Sequence, residues 1–253
     1  VIINRTGAAG QIGLEATFNA APDGYTIGAT TIPAHNAIPL ERQVRYRAMD
    51  FTFLCNIVED ANCFYVPGNS PLKTLQDLVA AAKARPGQIT YATTGIGSDD
   101  HLFVLHFEAL AGLQPMIQVP FAGAAPLIPQ LLGGNMDVAA MNVNDALQLV
   151  REGKVRMLGQ AAVARQPEAA DVPTFRESGF DLVHGASRGI VGPPNMPPAI
   201  VARLEAAFRT ALGDENFKRE AARNFMPLNT MVGAEYRAFA QTVDDRLKRL
   251  WQV

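Results

Sequence analysis

Hydrophobic and polar positions along the chain follow two periods in turn. Short runs rich in apolar, β-branched and aromatic residues predict strands at 1–3, 25–30, 51–58, 63–66, 89–93, 118–121, 137–141 and 155–163. Between them, apolar residues recur at helical spacing. Leu75, Leu78, Val79 and Ala82 form one such face; Phe103, Phe107 and Leu110 form a second. Ile200, Leu204, Phe208 and Ala211 form a third, and Tyr236, Phe239, Val243, Leu247 and Leu250 a fourth. Thr74 with Asp77 approximates a capping box, Ser98 is a good N-cap, and Pro126 suits a first helical turn. The stretch 31–39, carrying His35 and Asn36, reads as a loop, and Glu59-Asp60-Ala61-Asn62 as a turn. Alternating strands and helices predict an α/β chain of mainly parallel sheets with helices on both faces. In such sheets a ligand lies beyond the carboxyl ends of the strands.

One strand-to-helix junction organises the candidate chemistry. In Ile89-Thr90-Tyr91-Ala92-Thr93-Thr94-Gly95-Ile96-Gly97-Ser98, a β-rich run ends in two glycines and a helix cap. The glycines permit a sharp turn and close approach. The helix start presents free N–H groups and the positive end of a dipole, which together seat an anion without lysine or arginine. The ordinary reading of the same residues is a βα turn with a serine cap.

Composition narrows the classes. A length of 253 residues allows one or two domains, and 48% apolar residues supply a sizeable core. With net charge −2 and no basic stripe, nucleic acid is not an expected partner. No apolar run has the length of a membrane span. The start Val1-Ile2-Ile3-Asn4-Arg5 lacks the features of a signal peptide, as the start of a matured exported chain would. Cys55 and Cys63 make no metal motif; they are either two core thiols or a bridge across a hairpin.

Gly7-Ala8-Ala9-Gly10-Gln11-Ile12-Gly13 leads into a helix expected to reach residue 21, and it fits a dinucleotide loop. An NAD-dependent oxidoreductase is therefore the alternative from another class. It lacks the acidic residue that should end the next strand about 20 positions on. No G-x-S-x-G elbow is present, and His101 and His106 are one residue too far apart for a helical zinc pair. No catalytic residue, cofactor or metal site is expected.

Many short matches in order resemble one family over nearly the whole chain. They include Asn4-Arg5-Thr6-Gly7-Ala8-Ala9-Gly10, Ala21-Pro22-Asp23-Gly24-Tyr25-Thr26 and Lys73-Thr74-Leu75-Gln76-Asp77-Leu78. Residues 91–102, Val119-Pro120-Phe121-Ala122-Gly123-Ala124-Ala125-Pro126, Leu131-Leu132-Gly133-Gly134-Asn135-Met136-Asp137 and Arg188-Gly189-Ile190-Val191 continue the pattern. The sequence resembles the periplasmic solute-binding proteins of tripartite tricarboxylate transporters, the Bug receptors.

The resemblance implies a type II periplasmic-binding-protein-like fold of two lobes joined by a hinge. Lobe one would be 1–62 with 186–253, and lobe two 63–185. It implies a monomeric, periplasmic, non-enzymatic receptor that captures a small organic carboxylate between the lobes and delivers it to membrane transporter subunits. A dicarboxylate, tricarboxylate, aromatic acid or amino acid would fit, and a sensor subunit of the same fold is a further alternative. Carried over from the family, Thr93, Thr94, Gly95, Gly97 and Ser98 would hold one carboxylate, with Phe121, Ala122, Gly123 and Ala124 as the neighbouring loop. Asn142 and Asn144 would line the far end, and Thr30, Thr31 and His35 would face them from lobe one. Arg188 either grips a second carboxylate or pairs with a local acid. The family has a further strand and helix before the region matching Val1, so the first βα unit of lobe one is expected to be missing here. Asp99-Asp100 also departs from the pattern. These acids either favour the helix dipole or, pointed at the ligand, attract an amine.

Overall fold

The structure, a computed structural model, describes the backbone of residues 1–251 and the side chains up to Arg249. Leu250, expected on the last helix's apolar face, therefore has no described side chain. The first elements are α1 (Gln11–Phe18), β1 (Gly28–Ile32), α2 (Ala34–Glu41), β2 (Thr52–Pro67), α3 (Leu75–Ala84), β3 (Thr90–Thr93) and α4 (Asp99–Ala111). Then come β4 (Ile117–Pro120), α5 (Ala124–Leu132), β5 (Val138–Asn142), α6 (Leu147–Arg151) and β6 (Val155–Gln160). β7 (Gly185–Gly192), α7 (Pro198–Gly213), α8 (Glu215–Arg223), β8 (Leu228–Val232) and α9 (Ala234–Trp251) complete the chain. It divides into two compact units, Val1–Glu59 with Ala186–Val253, and Asp60–Gly185.

In the first unit, β1 runs antiparallel to β7, with Thr31 opposite Arg188, and the first half of β2 runs antiparallel to β8. An aromatic group of Phe18, Tyr46, Phe51, Phe53 and Tyr236 packs around the buried His35. In the second unit, β3 lies parallel to both β4 and β5, while β2 pairs antiparallel with β5 and β6. The parallel pairing expected throughout is thus confined to β3 and its two neighbours. β2 enters from the first unit in the opposite sense and makes the sheet mixed. α3 and α4 cover this sheet through Leu75, Leu78, Phe103 and Phe107, which join Phe64, Tyr91, Val138 and Phe175 in one core.

Several local expectations change. Val1, Ile2 and Ile3 form no strand and are exposed. Among the described residues no strand pairs with them, and apolar, β-branched composition makes no strand without a partner to ladder with, so their backbone groups are left to water. Residues 51–58 and 63–66 belong to one 16-residue strand, β2, with no turn between them. The polar residues read as a turn are strand positions, and Asp60 and Asn62 are buried in it. Cys55 and Cys63 are both free and buried. Eight residues apart on one strand, they are about 26 Å apart, far beyond disulfide reach. Leu110 is exposed, because the buried stripe of α4 steps from Phe103 to Phe107 to Ala111.

The stretch 31–39 holds helix α2 rather than a loop, despite Pro39 inside it. Pro39 cannot donate to the carbonyl four residues back, that of His35. The Tyr46 hydroxyl donates to that carbonyl instead, at 3.2 Å, so the helix loses no buried partner.

The Thr74 cap forms as expected. Its hydroxyl accepts from Asp77 N at 3.1 Å, and the Asp77 carboxylate accepts from Thr74 N at 3.0 Å. Thr74→Ala should lower stability by about 1 kcal/mol. Chemical denaturation should show a lower midpoint with an unchanged slope.

Candidate carboxylate-binding site

β3, β4 and β5 run parallel, so their carboxyl ends lie on one edge of the second unit's sheet. Thr93 pairs with Pro120, and Phe121 N donates to Thr93 O at 2.9 Å. This bond joins the loop after β3 to the loop after β4. Each loop opens a helix: α4 begins after Ser98, and α5 begins after Gly123. Two helix N-termini therefore stand side by side.

The first loop is a closed turn. Gly95 and Gly97 have φ of 147° and 77°, which only glycine adopts without strain. Ser98 Oγ donates to Gly95 O at 2.8 Å and accepts from His101 N at 3.3 Å, so it both closes the turn and caps α4. Thr93 is buried; Gln118 Nε2 donates to its hydroxyl at 2.9 Å. Three of the expected main-chain donors are occupied from within, one of them Ser98 N, which donates to Gly95 O at 3.3 Å. Thr94 N donates to Asp100 Oδ2 at 3.2 Å, and Gly97 N to His101 Nδ1 at 3.1 Å. Among the described residues, the amides of Gly95, Ile96 and Asp99 have no hydrogen-bond partner, and neither do those of Gly123, Ala124 and Ala125. The turn expected from the two glycines and the Ser98 cap is present. Its available donors flank Thr94 and Gly97 rather than coincide with them.

Behind this loop lies a buried polar network that the sequence reading did not foresee. Asn62 and Asn142 sit directly opposite each other on β2 and β5, so their side chains share a face. Both reach Asp99 Oδ2, at 2.9 and 3.1 Å. Asn62 Nδ2 also donates to Asp100 Oδ1 at 3.0 Å, and its Oδ1 lies 2.8 Å from His184 Nδ1. Asp100 Oδ2 further accepts from the Thr94 hydroxyl at 2.5 Å. Burial, and then the neighbouring Asp99 charge, push the Asp100 carboxyl well above the usual carboxylate range. Asp99 and Asp100 thus point into the network, and neither is open to a ligand amine.

The expected far-end residues behave differently from each other. Asn142 is buried, with its amide nitrogen shared between Asp60 O and Asp99. Asn144 donates to Asp60 Oδ1 at 3.2 Å, and its own Oδ1 is buried without a partner among the described residues.

In the first unit, Thr30 and His35 are core residues rather than ligand-facing ones. His35 Nδ1 lies 2.8 Å from Thr30 Oγ1, and Nε2 lies 2.8 Å from Ala48 O. Burial lowers the imidazole pKa to about 4, which keeps it neutral near pH 7. Thr31 and Arg188, cross-strand neighbours, remain partly exposed together. At the glycine loop of residues 7–13, Arg42 donates to Ala8 O and Gln11 Oε1, both at 2.9 Å. β1 ends in Thr30-Thr31-Ile32, with no acid to hold a ribose.

Two α/β units, the second with glycine-bearing loops at the carboxyl ends of parallel strands, match solved TctC and BugD solute-binding proteins in fold, a periplasmic-binding-protein-like fold of type II. The chain belongs to the TctC family, the tripartite tricarboxylate transporter family receptors, whose family model matches residues 1–253. The UPF0065 protein in gbd 5'region of Cupriavidus necator is 30% identical over 244 residues, covering 95% of this chain and 73% of its own length. MatC from Rhodopseudomonas palustris, solved with bound malate, is 28% identical with a TM-score of 0.82, over 97% of this chain and 84% of MatC. An R. palustris protein solved with adipate is 25% identical with a TM-score of 0.87, over 100% of this chain and 84% of that one. The chain spans 73%, 66% and 64% of the lengths of three curated relatives that it matches.

Proposed function

We propose that this chain is a non-catalytic periplasmic receptor that holds a small organic carboxylate on the loops after β3 and β4. One observation carries the reading: the N-termini of α4 and α5 stand on adjacent loops, joined by the bond from Phe121 N to Thr93 O. A carboxylate there accepts several main-chain N–H bonds, each worth about 1.5–3 kcal/mol to a charged group. A few of these account for affinities near micromolar. Gly95, Ser98, Phe121, Ala122, Gly123 and Ala124 line the seat in this reading, while Thr93, Thr94 and Gly97 shape it. Asn144 Oδ1 is an acceptor for a ligand hydroxyl or amine.

Family membership supports delivery to a tripartite tricarboxylate-type membrane transporter, and the malate- and adipate-bound neighbours support dicarboxylates as the first candidates. The decisive experiment is a calorimetric titration with malate, adipate, citrate, benzoate and aspartate. Saturable binding of at least one acid, with none by its amide or methyl ester, is the expected result. Indifference to all five, with NADH binding seen by fluorescence, would replace this reading with the nucleotide one.

A further inference from the structure

We propose that Asp100 is a positioning residue for the carboxylate-holding loop, and that it works while its carboxyl keeps a proton. The inference rests on the receptor reading and adds proton linkage to it. Asp100 is the only described side chain that grips both the main chain and the side chain of Thr94, at 3.2 and 2.5 Å. It therefore fixes the entry to the turn whose remaining amides face the ligand. Asp99 and Asp100 are 6% and 1% exposed, and a single amide nitrogen, Asn62 Nδ2, donates to both carboxyls.

Further titratable groups face this pair from several sides. β2 contributes Asp60, whose main-chain carbonyl shares the Asn142 amide with Asp99. The segment after β5 contributes Asp145, whose Oδ2 accepts from Asn142 N at 3.0 Å. His184 reaches the pair through Asn62, and His101 and His106 stand on α4 itself. The groups that donate directly to Asp99 and Asp100 are neutral: two asparagine amides, a main-chain N–H and a threonine hydroxyl. A buried carboxyl beside the Asp99 charge and met only by neutral donors holds its proton above the ordinary carboxylate range. An anion arriving at the Gly95, Ile96 and Asp99 amides adds a further negative charge beside it. Binding and proton retention then favour each other, and by linkage the ligand's arrival draws a proton onto Asp100.

Two signs follow. Carboxylate affinity falls as pH rises past the point where Asp100 would otherwise lose its proton, by up to about tenfold per pH unit. The ligand-free protein behaves in the same direction. Asp100 binds its proton more tightly in the folded than in the unfolded chain, so its contribution to stability is full below the ordinary carboxylate range. That contribution is lost as pH rises from there through the raised value. Asp100→Asn imitates the protonated form and keeps an oxygen for Thr94, so it should flatten both dependences.

The test is calorimetry with malate and adipate in two buffers of different ionisation enthalpy, from about pH 6.5 to 8, where both acids are already fully ionised. Wild type should take up a fraction of a proton on binding; Asp100→Asn should take up none and bind with pH-independent affinity, while Asp99→Asn, which leaves Asp100 buried but removes the neighbouring charge, should show the uptake at lower pH. Binding without proton uptake in wild type, or undiminished uptake in Asp100→Asn, overturns the proposal. Thermal unfolding without ligand supplies an independent arm. The melting-temperature difference between wild type and Asp100→Asn should shift steadily against wild type as pH rises, and a constant difference overturns the proposal as well. If no acid binds, the receptor reading fails and the coupling fails with it, while the melting series still reports whether Asp100 holds its proton.

Discussion

Ile96→Glu should weaken carboxylate binding by about a hundredfold, while Ile96→Gln leaves it within a few-fold. Ile96 is 50% exposed at the tip of the turn between Gly95 and Gly97. A surface change there carries little folding penalty, roughly within 0.5 kcal/mol. A glutamate side chain at this position reaches within roughly 5–6 Å of an anion seated on the same turn, the range over which charges near a protein surface repel appreciably. At an effective dielectric constant near 20, that repulsion is about 3 kcal/mol, or about a hundredfold in affinity. Added salt should shrink the difference between the two variants, because this charge stands in solvent. The glutamine variant separates charge from size. Equal losses in both would mean that the side chain obstructs rather than repels, and no loss in either would place the ligand away from this turn.

The features legible in sequence were those set by neighbours in the chain. The Thr74 capping box, the Ser98 cap, the strand before Gly95 and the helix opening near Pro126 depend on three- and four-residue spacings, and each is present. Of the candidate site, the local turn was legible in the same way. Gly95, Gly97 and Ser98 announce a turn onto a helix N-terminus, and that turn exists. Which amides it leaves available was not legible, because Asp100 and His101 occupy Thr94 N and Gly97 N through side-chain rotamers.

What escaped was set by distant partners. Glu59-Asp60-Ala61-Asn62 has the composition of a turn, yet it continues β2 because its buried polar atoms find partners across the sheet. Asn62 meets Asp99 and Asp100, 37 and 38 residues away, and His184, 122 residues away. α2 escaped for a similar reason. Pro39 argues against a helix locally, and the Tyr46 hydroxyl that compensates for it comes from outside the helix. Asn36, read as a loop residue, donates to Asp244 Oδ1 at 3.1 Å, 208 residues along the chain. Polar residues that look like loop formers are here the buried ends of long-range hydrogen bonds, which carry no local signature.

Phe64→Ala should lower the stability of the second unit by about 3–5 kcal/mol, a large share of the 5–15 kcal/mol typical of a domain. Phe64 is fully buried, and its ring lies 4.7 Å from that of Phe103, 5.1 Å from Phe107 and 6.0 Å from Phe175. Phe175 also contacts the other two, at 5.3 Å from Phe103 and 5.6 Å from Phe107. Removing Phe64 therefore opens a cavity at the centre of an aromatic group that spans β2, α4 and the segment after β6. These rings are rigid and held from several sides, so they cannot collapse into the gap, and the penalty should fall at the upper end for a large-to-small change. The consequence reaches the site, because Phe103 and Phe107 are what hold α4, and with it the Ser98 cap, against the sheet. Urea unfolding followed by circular dichroism should show a midpoint shifted down, and calorimetry below that midpoint should show weakened carboxylate binding. Phe64→Leu, which fills most of the space, should recover most of both losses. If Phe64→Ala lost stability but bound its acid with wild-type affinity, the attachment of α4 to the core would not be what sets the loop.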